Sequence, residues 1–114
     1  MSSTGRHVDA QALRELQQVM GADFVLLIET FLNDSQIRLT AIDEAIAAGD
    51  SEALRRSAHS FKGSASNMAA PLLADLCQHL ETLGLNDDMA AAPAVAQRIR
   101  TEYGHVLEAL QTDL

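Results

Sequence analysis

The 114-residue chain has little of what many folds and activities require. It contains one cysteine, two prolines, six glycines, three phenylalanines, one tyrosine and no tryptophan. A single cysteine, Cys77, excludes an internal disulfide framework and a cysteine-rich zinc site. Within Leu76-Cys77-Gln78 it reads as a small, semi-buried hydrophobe of a helix. The scarcity of turn-forming residues sets the chain apart from sandwiches and parallel sheets and suits an all-helical domain. No apolar run approaches the roughly 20 residues that span a bilayer. The opening Met1-Ser2-Ser3-Thr4-Gly5 lacks the apolar centre of a signal peptide, so a soluble, cytoplasmic protein is expected. Basic residues are also scarce, 8 against 16 acidic ones, for a net charge of −8. That field disfavours nucleic acid and anionic membranes as partners. The histidines, His7, His59, His79 and His105, are too scattered for a zinc site, and no metal is expected.

What the chain does have is alanine and leucine at helical spacing, in a length that makes one domain, residues 1–114. Five helices are predicted, over 10–20, 23–48, 51–68, 71–83 and 90–112, after a loose N-terminus at 1–8. Asp9 and Asp50 are placed as N-caps, with Val8 and Leu13 as a hydrophobic staple. Gly21, Gly49 and Gly84 read as helix stops. Pro71 suits a first helical turn. Pro93 would remove a backbone bond if it lay deeper in the last helix, which leaves that helix's start open. The second helix carries the stripe Phe24, Leu27, Ile28, Phe31, Leu39, Ile42 and Ile46, which Ser35 interrupts. Its 26 residues make a rod of roughly 39 Å. Four long amphipathic helices with short links predict an antiparallel up-down four-helix bundle, with the short N-terminal helix covering one end or flank.

The segment Ala58-His59-Ser60-Phe61-Lys62-Gly63-Ser64-Ala65-Ser66-Asn67 carries the chemistry. Leu54, Ala58, Phe61, Ala65 and Met68 fall on one arc of the third helix, which leaves His59 outward beside Lys62, Gly63, Ser66 and Arg55. A glycine inside a helix costs about 1 kcal/mol relative to alanine, so the open space at Gly63 calls for a reason. An imidazole is largely neutral near pH 7 and keeps one free lone pair. Lys62 and Arg55 would offset the charge of a phosphoryl group on it. Gly63, Ser64 and Ser66 would keep the helix face low for a bulky partner. The chain has no P-loop and no kinase-type glycine loop, so ATP is not expected as the direct donor.

His59-Ser60-Phe61-Lys62-Gly63-Ser64 resembles the motif of histidine-containing phosphotransfer (HPt) domains, histidine-x-x-lysine-glycine followed by a small residue. Asn67-Met68-Ala69-Ala70, Leu72, Leu76-Cys77 and Leu80-Glu81 are similar to the rest of that family's central hairpin. The resemblance implies a stand-alone relay protein rather than an enzyme with turnover of its own. His59 would take a phosphoryl group on Nε2 from a hybrid sensor kinase's receiver domain or a histidine kinase. It would then pass it to the aspartate of a response regulator. The family's usual Gln or Glu on the next helix, which bonds the other ring nitrogen, corresponds here to Glu81, with Gln78 in reserve. No cofactor of the chain's own is implied, since Mg²⁺ would sit on the receiver. Contacts would be transient and the protein a monomer. The family commonly has glycine where this chain has Ala69, a departure that costs energy if the position needs a positive φ.

Other readings follow from the same residues. The bundle could be a docking module for receiver or kinase domains with an incidental histidine, in which case His59→Gln would leave its output unchanged. A phospho-accepting fragment of a larger kinase is a third reading. Exposed apolar atoms around Ala58, Met68 or Ala69 are expected to help docking. His7, His79 and His105 are assigned no role, with His79 expected to pack at the bundle edge. Asp87-Asp88 reads as a solvated loop.

Overall fold

The helices start and stop where local chemistry allows. In the computed structural model, which describes residues 7–113 and side chains as far as residue 111, they are α1 (Ala10–Met20), α2 (Asp23–Ala48), α3 (Ser51–Asn67), α4 (Pro71–Leu85) and α5 (Ala92–Asp113). No strand occurs among the described residues. Asp9 caps α1 by accepting from the Ala12 amide at 3.1 Å, and Asp50 caps α3 by accepting from Ala53 at 3.0 Å. Gly49 closes α2 in the left-handed region at φ 66°. Pro71 opens α4 in its first turn. Pro93 also lies in the first turn of its helix, where the missing N–H interrupts nothing.

Several expectations need correction. Met68 is the C-cap of α3 rather than its last residue. Gly84 does not stop α4, which continues to Leu85. Gly84 is buried against α3, and its role is spacing, as shown below. Residues 1–6 lie outside the described residues, but His7 and Val8 are not loose. Val8 is 4% exposed, and His7 Nδ1 stands 2.7 Å from the Glu102 carboxylate. The His7 ring also stacks on His105 with centroids 4.4 Å apart. His79 is exposed.

Neighbouring helices pack in a ring: α2 on α3, α3 on α4, α4 on α5, and α5 back on α2, while α1 lies against α2. The molecule measures 42 × 31 × 19 Å, its long axis matching the length of α2. Phe61 lies at the centre, fully buried, with Tyr103 edge-on at 6.1 Å and Phe31 beyond it. Ser35 holds its place on the α2 stripe because its hydroxyl donates to Phe31 O at 2.6 Å, so its own O–H is paired within the core. Cys77 is likewise buried, and burial pushes its thiol up to about 12, against a small opposing pull from Lys62. It is a core hydrophobe. No helix of the described residues is long and apolar enough to cross a membrane.

Candidate functional site

The apolar arc of α3 fixes what the opposite arc presents. Leu54, Ala58, Phe61 and Ala65 are fully buried, and this turns the His59 side chain, 61% exposed, to the outside. The face of α4 that flanks α3 there brings Glu81 alongside. His59 Nδ1 stands 2.9 Å from Glu81 Oε2, and Lys62 Nζ stands 2.9 Å from Glu81 Oε1 as an ion contact. Lys62 Nζ also donates to Gln78 Oε1 at 2.9 Å. The Gln78 amide in turn donates to the Thr82 hydroxyl at 3.2 Å. Glu81 is thus a bridge between the imidazole and the ammonium, and Gln78 serves the lysine, not the histidine.

Electrostatics follow from the same contacts. Partial burial pushes the Glu81 carboxyl up, but the hydrogen bonds and charges of Lys62 and His59 outweigh it and hold the group below its ordinary range. Glu81 is therefore a carboxylate near neutral pH and accepts from Nδ1–H. That selects the tautomer whose Nε2 carries the free lone pair. Among the described residues none bonds Nε2, and the side chain as a whole is exposed.

Gly63 adds the clearance. Nothing lies within 4 Å of where a Cβ would stand, so neither packing nor an unusual backbone calls for glycine there. Ser66 is exposed beyond it. Ser64 points to the α2 side and donates to Asp34 Oδ2 at 2.9 Å, so it ties two helices together. Arg55 takes Glu52 as its bonded partner and feels the charge of Glu81. Its guanidinium grips Glu52 through bonds of 2.9 and 2.8 Å, which raise its affinity for the proton and hold the Glu52 carboxyl low. Ala58 and Met68 cannot offer docking atoms, being 0% and 1% exposed. The core claims both, and only Ala69 stays half-exposed.

Two residues escaped the sequence reading. Arg56 stands three residues before His59 on the α2 side, its side chain 64% exposed and only loosely drawn to Glu52 at 3.7 Å. Its spacing mirrors that of Lys62, which was the signal available. Thr82 closes the Gln78 chain and carried no signal of its own. Ala69 has φ 57°, so the turn between α3 and α4 does hold an alanine where glycine is at ease.

The comparisons agree with this geometry. The family model for the Hpt domain matches residues 26–112. The crystal structure of histidine-containing phosphotransfer protein B from Pseudomonas aeruginosa PAO1 superposes with a TM-score of 0.89. It is 38% identical, and the match covers 96% of each chain. No curated protein matches. With a family model over most of its length and a solved relative over nearly all of it, the chain belongs to the Hpt domain family and is a phosphotransfer intermediate of a phosphorelay.

Proposed function

We propose that His59 is the phosphoryl carrier and that Nε2 is the accepting atom. One observation carries this reading: the exposed imidazole has its Nδ1 engaged by Glu81 at 2.9 Å while the approach over Gly63 is open. The Nε2 lone pair attacks the phosphorus of an aspartyl phosphate on a receiver domain. The N–P bond forms as the P–O bond to the aspartate breaks, and the aspartate leaves as carboxylate. The phosphorylated ring retains the Nδ1 proton, and Glu81 offsets the positive charge it then bears. Lys62 supplies a cation to the face on which the phosphoryl group would rest. The reverse step delivers the group to a second receiver.

The receiver supplies Mg²⁺ and most of the catalytic groups, and the chain needs neither ATP nor a cofactor of its own. Partners are the receiver domains of a hybrid sensor kinase and of a response regulator, held briefly by a small interface. The cytoplasm is the compartment this relay implies, and a monomer its working form. Short links of 2 to 6 residues between helices in contact support an antiparallel up-down course for α2 to α5.

Phosphoryl transfer from a panel of phosphorylated receiver domains tests the reading. The wild type should gain one phosphate that is labile to acid and stable to alkali, and His59→Gln should gain none. Equal labelling of the two would reject His59 as the carrier.

A further inference from the structure

We propose that Gly84 is a positioning residue: its missing side chain sets the spacing of α3 and α4 at which Glu81 reaches both His59 and Lys62. The inference rests on the reading of Glu81 as the group that orients the imidazole.

Gly84 has no local reason to be glycine. It lies inside α4, its φ is negative, and it ends nothing. What singles it out is contact. A Cβ built there would stand 2.9 Å from Arg55 N and from Ser51 O, and 3.1 Å from Arg55 Cα. These are backbone atoms of the facing helix, which cannot swing aside as the end of a side chain could. Gly104, also inside a helix, has nothing within 4 Å of the same construction. The two glycines differ in their surroundings alone.

The position matters as much as the clash. Gly84 follows Glu81 by three residues, and Arg55 precedes His59 by four, so the close approach lies one turn from the Glu81 bridge. Ordinary contact begins at about 3.4 Å, so a methyl at residue 84 would drive the helices apart by about half an ångström. Both contacts of Glu81 stand at 2.9 Å. The same displacement would carry the His59 Nδ1 bond to about 3.4 Å, beyond the range of a good N–H···O bond, and would lengthen the Lys62 ion contact. To recover both contacts at once the Glu81 side chain would have to turn out of its present geometry. The absent methyl therefore fixes the imidazole tautomer from a distance.

The test reads the ring itself as well as the reaction. The fraction of His59 carrying its proton on Nδ1 is measured by nitrogen-15 NMR. Transfer is measured from a phosphorylated receiver domain, in the wild type, Gly84→Ala, Glu81→Ala and the double variant, with Gly104→Ala as control. Gly84→Ala should lower the Nδ1–H fraction and slow transfer about tenfold, the worth of one charge-assisted hydrogen bond. Adding it to Glu81→Ala should slow transfer no further, and Gly104→Ala should change neither reading. A folded Gly84→Ala protein with the wild-type tautomer, or a further loss in the double variant, would overturn the proposal. If Glu81→Ala shifts the tautomer but not the transfer rate, the role of Glu81 in transfer fails while the positioning by Gly84 stands. Should Gly84→Ala not fold, Glu81→Asp decides. It withdraws the carboxylate by about 1.5 Å, one carbon–carbon bond, without touching the helix contact. Loss of the Nδ1–H signature there supports the proposal, and its retention overturns it.

Discussion

Glu81 serves two partners at once, His59 Nδ1 and Lys62 Nζ, each at 2.9 Å. The pair holds its carboxyl below the ordinary range despite the opposing effect of burial. A carboxyl depressed on folding stabilises the native state above its unfolded pKa and loses that contribution as pH falls through the folded value. The stabilisation should therefore be complete at neutral pH and decline below about pH 4.3, the unperturbed glutamate value. Urea unfolding between pH 3 and 7 should show a flatter acid limb for Glu81→Gln than for the wild type. Parallel limbs would mean that the two contacts contribute nothing to folding. At this scale the sequence was informative about types and poor about choices. Lys62 and Arg55 look equivalent on a helical wheel, but Arg55 has Glu52 one turn behind it and takes that partner. Gln78 and Glu81 share a face of α4, and only the spacing to α3 decides which of them meets the imidazole.

Helix ends were legible because caps are local. Asp9, Asp50, Gly49 and Pro71 act through atoms within a few residues of themselves. Gly84 was misread for the complementary reason. A glycine that spaces two helices cannot be told by sequence from one that ends a helix, since the atoms it makes room for are about thirty residues away. The turn between α3 and α4 joins the two cases. Ala69 sits at φ 57°, a conformation that costs an L-residue about 1–2 kcal/mol and glycine far less. Glycine loses more entropy on folding, which returns part of that gain. Ala69→Gly should raise stability by about 0.5–1 kcal/mol, or a few degrees in the unfolding midpoint, with the rate of phosphoryl transfer unchanged. Differential scanning calorimetry beside a transfer assay would check both halves. A fall in the midpoint would show that the turn already accommodates alanine without strain.

For the whole molecule, residues 7–9 act as a strap. Val8 is buried in the core, the Asp9 amide donates to Ala69 O at 2.8 Å, and His7 reaches Glu102 on α5. Three consecutive residues thus tie the α3–α4 turn to α5. Val8 was legible as a staple residue against Leu13, but the ties to the α3–α4 turn and to α5 depend on surfaces that exist only after the helices have packed. Truncating Val8 to alanine removes two buried methyl groups, worth about 1–2 kcal/mol with the cavity they leave. The unfolding midpoint should fall by several degrees. Transfer should be unaffected at temperatures where the variant is folded, since His59 lies ten residues before Ala69, about 15 Å along the direction of α3. A parallel loss of transfer rate in Val8→Ala would mean that the strap also shapes the site. The bridge from His59 to Glu81 would then depend on the far end of the α3–α4 pair as well as on the contact at Gly84.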